Sequence, residues 1–125
     1  MTELERKNIM TYVENYRNAL PEGLQTYWSN WIKNRDIIVN KLKLTEDQKL
    51  LLTKRSMAEL VLAYIKQASG FNTIGPTKFK TTKGTTNVIN KMASLVDEQV
   101  KIEKMIPKTV KRFDEEMEKL NKKSR

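Results

Sequence analysis

The C-terminal third of this chain repeats with a spacing that only a helix can use. Val88, Met92, Leu95, Gln99, Ile102 and Ile106 step by 4, 3, 4, 3 and 4, and after one further 4 the series continues through Val110, Phe113, Met117 and Leu120. Residues three and four apart share one side of an α-helix, whereas a strand would need strict alternation. All but Gln99 are apolar, so this is coiled-coil-like spacing, interrupted beside Pro107. A proline inside a helix removes a hydrogen bond and clashes with the preceding turn, which predicts a kink or a helix boundary there.

The rest of the chain follows the same rule. In a first helix over about 3–20, Ile9, Tyr12, Val13, Tyr16 and Leu20 form an apolar face, and Pro21 stops it. Proline is tolerated at a helix start, so Pro21 is expected to open the second helix, about 22–42. There Leu24, Tyr27, Trp28, Trp31, Ile32, Ile38, Val39 and Leu42 make a continuous stripe. The segment Thr45-Glu46-Asp47-Gln48 has the form of a capping box, with acids suited to the first turn of a third helix over about 46–69. Residues 60–65 are apolar all round, which marks this helix as the central one. Gly70 is a good residue to end it.

Residues 70–86 read GFNTIGPTKFKTTKGTT, with three glycines, a proline, six threonines and three lysines. An open loop is expected in preference to a two-stranded hairpin, and loops this long in compact domains are usually functional or disordered. Two further helices follow, about 87–105 and 108–122. The expected fold is all-α: a single domain, a small helical bundle of four to five helices, with a long basic loop before a Pro-kinked C-terminal helix. At 125 residues, 38% hydrophobic and 31% charged, the chain suffices for one core and is too apolar for a disordered segment.

Composition narrows the chemistry. Histidine and cysteine are both absent, which excludes imidazole general bases, Ser-His and Cys-His pairs, disulfides and thiolate metal sites. The acids Glu46-Asp47 suit a helix start, and Asp114-Glu115-Glu116 alternate with Lys111, Arg112 and Lys119 on a solvated face. Neighbouring acids on a helix point in different directions, so neither group offers paired carboxylates to a sugar or a metal. No enzyme activity, cofactor or metal is expected. The opening residues carry no apolar signal segment and no run approaches a membrane span, so a cytoplasmic protein without membrane contact is expected.

The net charge of +9 is unevenly laid out. No acid occurs between Glu59 and Asp97, a stretch carrying Lys66, Lys78, Lys80, Lys83 and Lys91. An unopposed positive field attracts phosphate backbones or acidic protein faces, though a lysine-rich solvated surface looks the same in sequence. Gly70 to Thr77 has the glycine spacing of a P-loop, but Pro76 stands where the lysine must be and a helix precedes it, so no nucleotide site is expected. Phosphates could still meet Lys78, Lys80 and Lys83, with Phe79 free to stack on a base. A helix-turn-helix across 45–69 fails because its second helix, MAELVLAYIKQAS, is core-like rather than polar on its outer side. Tyr27, Trp28 and Trp31 are either interface anchors or core residues, and the stripe favours the core. Gln99, polar in an apolar seam, is the kind of residue that sets register in an oligomer, so a homodimer through the C-terminal helix stands beside internal packing.

The turn Leu20-Pro21-Glu22-Gly23-Leu24 leading into Tyr27-Trp28-Ser29-Asn30-Trp31, in a Lys/Asn/Thr/Ile-rich helical chain, resembles small accessory proteins of Gram-positive phages and phage-related chromosomal (pathogenicity) islands. The likeness covers layout and overall character, and it carries over no site residues. It implies a non-catalytic regulator that grips a partner such as a transcription or packaging factor. Two functional expectations result: a regulatory protein docking on another protein, acidic or DNA-associated, or a basic protein contacting nucleic-acid phosphates through the lysine-rich loop.

Overall fold

The computed structural model describes residues 1–69 and 83–123, with the backbone alone at residues 69, 83–86 and 123. Five helices make up the described chain: α1 (Glu3–Ala19), α2 (Glu22–Leu42), α3 (Glu46–Ser69), α4 (Lys83–Met105) and α5 (Pro107–Lys123). The fold is an all-α bundle, as the periodicity requires. Most of the expected loop over 70–86, including Lys78, Phe79 and Lys80, lies outside the described residues. Its last four residues do not belong to a loop, because α4 begins at Lys83 rather than Asn87. Gly84, Thr85 and Thr86 are poor helix formers, but a first turn makes few internal hydrogen bonds and tolerates them.

Local chemistry sets the other boundaries. The Thr2 hydroxyl accepts from the Glu5 N–H at 3.1 Å and caps α1. Pro21 sits one place earlier than expected: with ψ at 153° it is the N-cap of α2, and its carbonyl accepts from the Leu24 and Gln25 N–H groups. The capping box at α3 is formed, with the Gln48 N–H donating to Thr45 Oγ1 at 3.2 Å and the Thr45 N–H to Gln48 Oε1 at 2.9 Å. α2 ends on Lys43, whose φ of 54° is left-handed. A side chain costs strain there and glycine does not. Lys43→Gly is therefore expected to raise stability by about 0.5–1 kcal/mol in urea unfolding; a loss would show that the lysine side chain contributes more than its backbone strain.

α3 is the central element, flanked by α1 and α4. Arg6, Ile9 and Tyr12 of α1 meet Asp47, Leu51 and Lys54 of α3 in the same chain order, so those two helices run parallel. Leu51 packs with Ile102 and Lys54 pairs with Glu98, so α4 runs antiparallel to α3. α2 and α5 pack on each other and complete the core. Trp28, Trp31, Ile38, Leu52, Met57, Ala58, Val61, Leu95 and Phe113 are among its buried members. The most buried part of α3 is residues 51–62 rather than 60–65: Ala63 is exposed and Tyr64 is 37% exposed. An apolar run has no period, so it cannot say which of its sides neighbouring helices will cover.

The C-terminal seam is spent inside the chain. Leu95, Val110 and Phe113 are buried in the core with residues of α2 and α3, Ile102 is buried with Ile9 of α1 and Leu51 of α3, and the Gln99 amide donates to the Leu95 carbonyl of its own helix at 3.3 Å. The surface on which a seam-paired homodimer would form is thus already occupied. At Pro107 the chain bends while the ladder bridges the bend, through Ile106 N–H to the Ile102 carbonyl and Val110 N–H to the Ile106 carbonyl.

Candidate partner-binding groove

The sequence stretch richest in unopposed lysine does not assemble into one site among the described residues. Lys66 is exposed near the end of α3. Lys91 instead holds its ammonium 4.6 Å from the centre of the Tyr16 ring, a cation–π contact within the fold. Beside it Tyr12 and Tyr16 meet edge to face at 4.9 Å, and Lys54 lies 4.9 Å from the Tyr12 ring while also pairing with Glu98. The Tyr12 hydroxyl is buried without a hydrogen-bond partner among the described residues, and burial, helped by the charges of Tyr16 and Glu98, raises its pKa. That phenol stays protonated and supplies no nucleophile. Lys83 is the first residue of α4.

The aromatic group of α2 divides in two. Trp28 and Trp31 are core residues, 2% and 9% exposed, with rings stacked at 4.7 Å and 10°. Phe113 of α5 leans on Trp31 at 5.9 Å. Tyr27 is 56% exposed. Helical geometry explains the split, because one residue's step rotates a side chain by about 100°.

These rings line the floor of an open groove of about 810 Å³ between α2, α3 and α5. Leu60, Ala63 and Met117 add apolar wall, and Tyr27 stands at the edge. The rim is polar. Lys33 and Glu59 both line the groove and neither has an ion-pair partner among the described residues. Arg55 does have partners. Its Nε donates to Glu103 at 3.1 Å, and its two terminal nitrogens donate to both oxygens of Asp114 at 3.0 and 2.8 Å. Burial works against the Arg55 cation, but the hydrogen bonds and charges of Asp114 and Glu103 outweigh it and hold its pKa above the ordinary value.

Arg55 also explains the position of α5. Glu103 and Asp114 are 11 residues apart, about 16 Å along a straight helix, yet one guanidinium reaches both. The α4–α5 elbow must therefore close around Arg55. Gln48 bonds Thr109 and Arg55 bonds Asp114 in the same chain order, so α5 runs alongside α3 and shapes the groove wall. The sequence marks Pro107 as a break; nothing local marks Arg55 as its keystone.

A space of this size lined by aromatic and aliphatic groups with a few polar groups at its edge suits an apolar anchor. Among the described residues no three or more acids cluster where they could hold a metal ion, and no helix is long and apolar enough to cross a membrane. No family model, no curated protein and no solved structure matches this chain.

Proposed function

We propose that this is a non-enzymatic regulatory protein that seats a helical segment of a partner protein in the α2–α3–α5 groove. The observation that carries this reading is an open groove of about 810 Å³ backed by the buried Trp28, Trp31 and Phe113 rings, with the exposed Tyr27 beside it and two rim charges, Glu59 and Lys33, that have no ion-pair partner among the described residues. The α3 side of the groove runs from Arg55 to Ala63, about 12 Å, which matches two turns of helix. The fitting segment carries one large apolar anchor for the floor, a cation facing Glu59 and an acid facing Lys33, the helix-in-groove mode of recognition. Tyrosine at the edge of a pocket is a typical contributor to such affinity. The resemblance to phage and island accessory proteins makes a transcription or packaging factor the partner of choice.

Capture from the native host, run in parallel with wild type, Tyr27→Ala and Ala63→Arg, tests this. A one-to-one partner retained by wild type and weakened at least tenfold by each variant supports the groove, since truncating a central anchor costs about 2 kcal/mol or more. Absence of any stoichiometric partner, or one retained equally by both variants, overturns it.

A further inference from the structure

All five cations within residues 101–112, namely Lys101, Lys104, Lys108, Lys111 and Arg112, are exposed, and none has an ion-pair partner among the described residues. They lie around the α4–α5 elbow. In α5, Lys108, Lys111 and Arg112 are spaced i, i+3 and i+4 and share the side away from buried Val110 and Phe113. In α4, Lys101 and Lys104 likewise avoid the side of buried Leu95 and Ile102.

In sequence this cluster is interrupted by Glu103 and followed by Asp114, Glu115 and Glu116, so it looks neutralised. Folding spends three of those four acids elsewhere. Glu103 and Asp114 are held by Arg55, and Glu116 by Lys41 at 2.7 Å and Lys119 at 3.2 Å. At the same end of the bundle Asp47 is taken by Arg6 at 2.7 Å and by the N-terminal amine at 3.4 Å. Of the acids at this end that no cation holds, Glu46 lies in the first turn of α3, Glu115 one turn beyond Arg112, and Glu3 and Glu5 in the first turn of α1. The first turn of α5 contains no acid.

We propose that this elbow is a sequence-independent docking surface for the phosphate backbone of duplex nucleic acid. Several exposed lysines around one elbow neutralise phosphates and release counterions, which is enough for non-specific affinity. Residues 101–112 contain no aromatic ring on which a single-stranded base could stack, and no Asn or Gln to read base edges. Their one exposed large apolar side chain is Met105, too little to anchor a membrane surface. The surface is distinct from the groove, so the two readings stand or fall separately.

The test is fluorescence anisotropy with a 20-base-pair duplex of arbitrary sequence, titrated at several salt concentrations. Five phosphate contacts give a log–log salt slope of about −4 to −5. The triple variant Lys104→Gln, Lys108→Gln, Lys111→Gln is expected to reduce that slope by about 3 and to weaken binding at 50 mM salt at least tenfold. All three side chains are exposed, and an unchanged helical circular dichroism spectrum confirms folding. A control with the same charge loss near the C-terminal ends of α1, α3 and α5, Arg17→Gln, Lys66→Gln, Lys122→Gln, is expected to retain most of the affinity. No duplex binding at low salt, an equal loss in the control triple variant, or stronger binding to polyglutamate or phosphatidylserine vesicles than to duplex would each overturn the proposal.

Discussion

Phe113→Ala is expected to lower the unfolding free energy by about 3–5 kcal/mol, among the largest effects available to a single substitution in this chain. Phe113 is 1% exposed, and its ring leans on the stacked Trp31–Trp28 pair. Truncation loses the transfer energy of the ring and leaves a cavity that the flanking indoles, already in mutual contact, cannot close. The effect also spreads. Besides the apolar contacts of α5, what holds it to the body is a set of side-chain bonds, Arg55 to Asp114, Lys41 to Glu116 and Gln48 to Thr109. Of these, the Lys41–Glu116 pair has an exposed lysine, and such pairs contribute about 1 kcal/mol or less. Chemical denaturation followed by tryptophan fluorescence and by far-UV circular dichroism measures both parts. A loss below about 1 kcal/mol would mean that Phe113 is not the pin between α5 and α2. Tyr27→Ala, one residue from a buried tryptophan but itself exposed, is the contrast, with a change within about 0.5 kcal/mol.

That contrast shows what the sequence can and cannot deliver here. Helical stripes, the Thr45–Gln48 box and the stop at Pro21 are local signals, and they locate the helices to within a residue or two except at Lys83. Burial of Trp28 and Trp31 is likewise legible, because the stripe in α2 has a clear period. Residues 60–65 have none, and there the expected centre of the core moved back toward Leu52 and Met57. The groove is harder still. It needs α2, α3 and α5 to meet, and the direction taken after Pro107 is set by Arg55, 48 residues from Glu103 and 59 from Asp114. In the sequence Arg55 reads only as part of a polar interruption in α3. Charge misleads for the same reason. The acid-free stretch draws attention to Lys66 and Lys91, yet Lys91 is occupied by Tyr16. The elbow cations look balanced by acids that the fold assigns to other partners.

Arg55 is therefore the residue whose loss should reach furthest. Arg55→Ala is expected to cost about 2–3 kcal/mol, because charge-assisted hydrogen bonds of this kind are worth about 1.5–3 kcal/mol and two neighbouring carboxylates lose the cation they share. Arg55→Lys keeps the charge but not the fork. An ammonium cannot bond both oxygens of Asp114 in a plane while also reaching Glu103, so more than half of the loss should persist. If Arg55→Lys matches wild type in urea unfolding, the site needs only a point charge and the elbow is held by packing alone. The combination Arg55→Met, Glu103→Gln, Asp114→Asn supplies the complementary arm. Removing all three charges should recover much of the stability lost in Arg55→Ala, since the penalty lies in the uncompensated acids. Arg55→Ala has a second expected readout at the elbow. It releases Glu103 among Lys101, Lys104 and Lys108, which restores an opposing charge to the cationic face and should weaken duplex binding. The Arg55→Met, Glu103→Gln, Asp114→Asn variant, with that acid neutralised, should not. Stability and anisotropy measured on the same proteins thus separate the structural role of Arg55 from its effect on the charge of the surface it organises.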